Sequence, residues 1–376
     1  MFSVGAVDDR DLMLGALGAA QLARRHAAPW PHVGASLATA AGVVVGATGP
    51  FPTGPHAEVA ALALVGDARG ATLATTLEPC DHHGNTPPCT EAIIAAGVRR
   101  VVVGVTDPDP KVAGRGVARL RAAGIDVVVG VESEAVERQL GAYLHHRRTG
   151  RAHCVLKVAT SLDGRIAAAD GTSRWITGPA ARADAHELRA DSQAVVVGSG
   201  TAIADDPALT VRDAKPPIPA RPPLRVLLDA RGRVPVGGQL ADVVQAPTLV
   251  VLTDRASDDV AARWSDIGAE VEYVDHVSGA HGSGVDLLAV FELLGGRGVL
   301  QAMVEGGAFL HGALLNESIA DRIVAYVANT LLGSTGLAAY GLSGVATIAD
   351  APRWQLVDAQ RFGDDVRLDY VRTEES

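Results

Sequence analysis

The sequence predicts two α/β domains in tandem, and three observations predict them. The chain has 376 residues, more than one hydrophobic core usually serves. Of these, 48% are apolar and only 4% aromatic, a composition that suits compact α/β proteins and not disordered chains. Helix-period and strand-type segments alternate along most of the length, the pattern of a wound sheet with helices on its faces.

Residues 8–28 predict a helix that starts on acidic side chains (Asp8, Asp9, Asp11) and carries an apolar stripe through Leu12, Ala16, Ala19 and Ala23. Two short strands follow, at 33–38 and 42–46. A Gly/Pro-rich loop over 47–55 then leads into a helix near 56–64. Residues 71–77 predict a strand, broken by Glu78-Pro79. A helix over 90–96 is stopped by Gly97 and followed by a buried-type strand over 98–105. A helix over 117–123, stopped by Gly124, and a strand over 125–129 repeat that unit. A polar helix over 132–146 closes the first pattern, and Arg147-Arg148-Thr149-Gly150-Arg151 is the expected linker. The domains are therefore expected at 1–147 and 152–376. Strands in the second are expected at 155–161, 194–198, 224–229, 248–253, 299–305 and 322–327. The stretch 215–223, with five prolines in nine residues, predicts a surface excursion within it.

Charge and cysteine content narrow the function classes. The net charge is −10 and no Lys/Arg cluster is denser than the short run His145-His146-Arg147-Arg148. Binding to nucleic acid needs a cationic face, so a small-molecule substrate is expected and no polynucleotide partner. Only three cysteines occur, Cys80, Cys89 and Cys154, too few for a secreted disulfide scaffold. The acidic start lacks a basic segment followed by an apolar one, and no run reaches the roughly 18 apolar residues of a spanning helix. A cytoplasmic location without a membrane partner is the expectation.

The strongest chemical signal is His56-Ala57-Glu58, followed by Pro79-Cys80 and Pro88-Cys89. One imidazole and two thiolates make three ligands for tetrahedral Zn2+ and leave one position for water. Zinc lowers the pKa of such a water to about 7, which makes hydroxide available at neutral pH. Glu58, two residues from His56, is placed to move protons as a general acid/base without being a ligand. His-x-Glu with a later Pro-Cys pair is the signature of zinc base deaminases. A purely structural zinc site would want a fourth protein ligand, which His82 or His83 could supply.

Eight residues separate Cys80 from Cys89, and this His-rich loop can cover a metal and touch a substrate. Thr76-Leu77-Glu78-Pro79-Cys80, that loop, and Thr86-Pro87-Pro88-Cys89 closely resemble the bifunctional deaminase-reductase family of riboflavin biosynthesis. Asp107-Pro108-Asp109-Pro110-Lys111-Val112-Ala113-Gly114-Arg115-Gly116 matches a second stretch of that family. The resemblance implies a cytidine-deaminase-like α/β/α first domain. It also marks departures. Trp30 stands where the family usually has Asn, Asn85 where Arg or Lys is usual, and Asp109 where Asn is usual. A substrate-facing His before His56 is replaced near Phe51-Pro52.

The second domain has no complete G-x-G-x-x-G. Gly198-Ser199-Gly200-Thr201 follows one expected strand, and Glu305-Gly306-Gly307-Ala308 follows another and opens an apolar helix. Either glycine pair reads as a tight turn or as a cradle for a pyrophosphate. The stretches 157–165, 173–177 and 200–210 resemble the family's reductase domain, which implies a dihydrofolate-reductase-like α/β fold that binds NADPH. By that resemblance Ala159, Trp175, Thr201, Asp205 and the turn from Gly307 contact NADPH, and Ser173, Arg189, Leu209, Arg212 and Glu305 hold the substrate. Arg189 and Arg212 offer planar cationic forks for a ribose phosphate. Asp205 is one candidate proton source for the reduction, and Ala230 stands where some relatives have a cofactor-touching Ser.

The implied function is hydrolytic deamination of 2,5-diamino-6-(5-phosphoribosylamino)pyrimidin-4-one, then NADPH-dependent reduction of its ribosyl group to ribityl. A homodimer through the second domain is implied too. Two alternatives stay open at this level: a paralogue acting on another heterocycle, and a non-catalytic protein that keeps zinc for structure.

Overall fold

The computed structural model describes residues 8–84, 86–212, 214–216, 218–219, 221–279, 282–342 and 344–373. The chain divides into two compact units, Met1–Gly150 and Arg151–Ser376.

In the first unit the order is α1 (Asp9–Ala23), β1 (Gly34–Thr39), β2 (Gly42–Ala47), α2 (Ala57–Leu62) and β3 (Thr72–Leu77). It continues with α3 (Cys89–Ala95), β4 (Arg100–Val105), α4 (Arg115–Ala122), β5 (Asp126–Val129) and α5 (Ser133–Thr149). The sheet order is β2-β1-β3-β4-β5. The β2–β1–β3 pairings are antiparallel and the β3–β4–β5 pairings parallel. Val101, Val102 and Val103 of β4 are all fully buried, as expected of a parallel strand covered on both faces. Asp8 caps α1 by accepting from the Asp11 backbone N–H at 2.7 Å. That helix packs directly on β1: a Cβ on Gly34 would meet the Ala16 carbonyl oxygen at 1.9 Å.

The second unit contains β6 (His153–Thr160), β7 (Arg165–Ala167), α6 (Pro179–Ala190), β8 (Ala194–Gly198), α7 (Ser199–Asp205) and β9 (Leu224–Leu228). Then come β10 (Thr248–Leu252), α8 (Asp258–Asp266), β11 (Glu270–Tyr273), β12 (His276–Gly279), β13 (Gly282–Val285) and α9 (Leu287–Gly296). The unit ends with β14 (Gln301–Val304), α10 (Ala308–Asn316), β15 (Arg322–Val327), β16 (Leu337–Ala338), β17 (Trp354–Phe362) and β18 (Asp365–Arg372). Its main sheet has nine strands in the order β11-β10-β9-β8-β14-β6-β15-β18-β17. Pairings run parallel as far as β15 and antiparallel through β18 and β17. The two glycine turns named above follow β8 and β14, at the carboxyl ends of neighbouring parallel strands. Ligands of open α/β sheets bind at that edge.

Two expectations are corrected. The segment expected as a linker is helical through Thr149, because α5 continues until Gly150 adopts the left-handed conformation at φ 75°. The sequence also gave no hint of the β17–β18 hairpin, which adds two antiparallel strands to the sheet. Among the described residues no helix is long and apolar enough to cross a membrane.

Candidate active sites

In the first unit three elements bring the metal donors together. His56 is the residue before α2, Cys80 lies just after β3, and Cys89 opens α3. Their ligand atoms all lie within 4.8 Å of one another. The His56 Nδ1 is 3.2 Å from Cys89 Sγ and 3.6 Å from Cys80 Sγ. The other ring nitrogen, Nε2, meets the Thr86 hydroxyl at 3.3 Å, which fixes the ring with Nδ1 toward the thiols. Neither His82 nor His83 belongs to this group. The hydrogen bond with Cys89, helped by His56, holds the Cys80 thiol down to about 4, while the same bond and burial push Cys89 up. A soft donor set of one imidazole and two sulfurs, with no fourth His, Cys or carboxylate gathered among the described residues, fits a zinc with an open position.

Glu58, in the first turn of α2, is 3% exposed, and its Oε2 lies 3.5 Å from Cys89 Sγ. Burial pushes its carboxyl above the usual range, the direction expected of a group that must hold and release a proton near neutrality. The Cys80 turn is braced from behind by Glu78, a second buried carboxylate. Glu78 accepts from the backbone N–H groups of Asp107 at 3.2 Å, Gly114 at 2.9 Å and Val117 at 3.0 Å. Gly116 lets this loop close, since a Cβ there would sit 1.9 Å from the Pro79 carbonyl oxygen. Above the donors lies a cavity of about 310 Å³ whose lining includes Trp30, Glu58, Thr86, Asp109, Lys111 and Arg147. Asn85 lies outside the described residues.

In the second unit one cavity of about 1380 Å³ is lined by Ala159, Ser173, Trp175, Arg189, Thr201, Asp205, Leu209, Arg212, Glu305 and Gly307. Ala230 lines it too. All the residues assigned by resemblance to cofactor or substrate thus share one space, larger than the roughly 300–1,000 Å³ of a single-ligand pocket. Gly307 is the residue before α10, and a Cβ on it would project to 3.6 Å from the Thr201 hydroxyl, into the gap between the two glycine turns. Leu209 is buried with φ 52°, a backbone strain that clusters at ligand sites.

Arg189 is not a free fork. Its Nη2 lies 2.6 Å and its Nε 2.8 Å from Glu305 Oε1, and Nη1 donates to the Thr210 carbonyl. Burial opposes ionisation of Glu305, yet Arg189 and Lys157 hold its carboxyl below the usual range. Arg189 therefore fixes Glu305 as a carboxylate at the cavity wall. Arg212 is exposed and lines the cavity, and among the described residues its guanidinium carries no ion pair. Asp205 lies 3.9 Å from Arg174 Nη2. Trp175 is 69% exposed, with the guanidinium of Arg182 over its ring at 4.4 Å.

Sequence reasoning missed Lys157, Arg231, Arg233 and His311, which line the same cavity. Arg231 meets the Ser283 hydroxyl at 3.4 Å and Arg233 the Ser199 hydroxyl at 2.7 Å. Two cations, two hydroxyls and the open glycine turn suit a phosphate-bearing cofactor such as NADPH. No local motif marks these residues; they meet only through the order of strands.

Comparison with known proteins assigns each unit to a family. Residues 6–105 match the family described as the cytidine and deoxycytidylate deaminase zinc-binding region. Residues 152–368 match the RibD C-terminal domain. The riboflavin biosynthesis protein RibD of Escherichia coli K12 is 39% identical, over 97% of this chain and 100% of that protein. The chain belongs to the RibD family. RibD of Acinetobacter baumannii superposes with a TM-score of 0.85 at 35% identity, covering 97% of this chain and 99% of that one. A diaminohydroxyphosphoribosylaminopyrimidine deaminase/5-amino-6-(5-phosphoribosylamino)uracil reductase from Thermotoga maritima superposes at 0.82 and 30% identity, over 97% and 99%. The resemblance read from the motifs is borne out, and so are the two fold types and the zinc and NADPH dependence of this RibD chain. Like its family, it is a bifunctional deaminase and reductase of riboflavin biosynthesis.

Proposed function

We propose that the chain deaminates 2,5-diamino-6-(5-phosphoribosylamino)pyrimidin-4-one in its first unit and reduces the ribosyl group of the product in its second. The convergence of His56, Cys80 and Cys89 beside buried Glu58 carries the first half of this reading. The two units, 1–150 and 151–376, divide the work.

Zinc, when bound, supplies the Lewis acid that makes hydroxide available at neutral pH. Glu58 takes the proton released as water adds to C2 of the ring and returns it to the departing amino group, so that ammonia leaves. Burial of Glu58 keeps that proton from bulk water, and Thr86 keeps His56 turned to the metal. In the second unit NADPH supplies the hydride, which adds to C1 of the opened sugar. Trp175, Ala159, Thr201 and the turn at Gly307 hold the cofactor; Ser173, Leu209, Arg212 and Glu305 hold the substrate. Asp205 is the proton source in this reading. Glu305, kept ionised by Arg189, accepts hydrogen bonds from the substrate. We also propose a homodimer through the second unit, a cytoplasmic location, and no nucleic-acid or membrane partner.

Arg212 is the cation we assign to the substrate phosphate. A charge-assisted bond of that kind makes Arg212→Ala weaken the substrate by about 10- to 150-fold. NADPH affinity, followed by fluorescence titration, stays within about twofold, because the residue has no partner on the cofactor. A collapse of NADPH affinity with an unchanged substrate KM would mean that the two ligands are placed in reverse.

A further inference from the structure

The lining of the zinc-site cavity mixes two kinds of side chain, the charged Asp109, Lys111 and Arg147 and the apolar Trp30, Pro31 and Val33. Trp30 brings a large aromatic side chain against the donor His56: its ring stands edge-on to the imidazole, centroids 5.4 Å apart at 76°. Phe51 supports it from elsewhere in the loop region, 5.1 Å away at 87°. The backbone is fixed as well. Pro29 and Pro31 flank the residue, and its N–H donates to the Ala27 carbonyl at 2.9 Å. An indole so held gives up little freedom when a second flat ring comes to lie on it.

The space of about 310 Å³ beside His56 and Cys80 can admit a pyrimidine to the open metal position. A sugar phosphate suits the cations Lys111 and Arg147 of that lining, whereas a flat ring suits Trp30, whose indole already lies against the donor His56. We propose that Trp30 is a specificity-determining residue of the deaminase site: its indole is the wall on which the substrate's pyrimidine ring lies. What Trp30 contributes to recognition of the base is ring contact, with at most one hydrogen bond donated by its Nε1–H and none accepted. The inference rests on the deaminase reading of the first unit.

The test uses the full zinc-loaded chain and separates binding from turnover. Calorimetry in a Glu58→Gln background reads affinity for the diaminopyrimidine phosphate without consuming it. Trp30→Ala is expected to weaken binding about 5- to 100-fold, and in the otherwise unchanged enzyme to raise KM for ammonia release by the same factor. Trp30→Phe, which keeps an aromatic face, stays within about threefold, while kcat changes by less than about threefold in both. If Trp30→Ala disturbs the metal, Trp30→Leu keeps apolar bulk against His56 without a π-face and is expected to retain zinc yet weaken binding. Affinity indifferent to residue 30, or equal loss in the Phe and Ala variants, overturns the inference. A wild-type chain that releases no ammonia contradicts the proposed function, whereas binding that ignores Trp30 contradicts this inference alone.

Discussion

Glu58→Gln is expected to cut ammonia release by about 100- to 10,000-fold while zinc stays near one ion per chain. The glutamine fits the same buried space beside Cys89 and can still hydrogen-bond, but it cannot accept and return a proton at neutral pH. Zinc content is unaffected because His56, Cys80 and Cys89 do not use Glu58 as a partner ligand. Reduction of supplied 5-amino-6-(5-phosphoribosylamino)uracil is unchanged, since every residue assigned to that step lies in the second unit. The check is a pair of assays on one preparation, ammonia by a coupled enzyme and NADPH by absorbance. Loss of both activities would show that the two units do not work independently.

Cys89→Ser is expected to be as severe by another route. Cys89 is fully buried, and its sulfur lies 3.2 Å from the ligand nitrogen of His56. A serine hydroxyl is not an anion at neutral pH and is a poor partner for zinc, so two strong ligands remain where three are needed. Zinc by elemental analysis falls from about one per chain to near zero, and ammonia release falls with it. Cys80→Ser behaves alike. The fold of the first unit persists in part, because its sheet and the α1 packing do not involve the metal. Full retention of zinc in both variants would remove the site assignment.

Much of both sites was legible because their residues sit in short, ordered stretches. His56 to Glu58 spans one helix start, and Cys80 and Cys89 bracket a single loop, so spacing alone exposes the donor set. The glycines at 198, 200, 306 and 307 mark strand ends, and the structure puts both turns on one cavity. What stayed hidden depends on tertiary pairing. Arg189 read as a free fork until α6 brought it against Glu305, which follows β14. Lys157 and His311 look like ordinary strand and helix positions, and only the sheet order turns them into the same space. The helix before the linker runs on to Thr149, past its expected end at His146, because cations favour a helix C-terminus, and the unit boundary still falls within 147–151. The β17 strand gave no period-2 signal because nearly all of its side chains are exposed at the sheet edge.

The central claim is that one chain performs two successive reactions on one substrate. The most direct measurement incubates the zinc-loaded protein with 2,5-diamino-6-(5-phosphoribosylamino)pyrimidin-4-one and NADPH, following ammonia and NADPH oxidation separately. One equivalent of ammonia is expected first and one equivalent of NADPH oxidised after it, with ammonia still released when NADPH is left out. NADPH oxidation with supplied 5-amino-6-(5-phosphoribosylamino)uracil, but no ammonia from the diaminopyrimidine, would contradict it and leave the zinc site serving another heterocycle or structure alone.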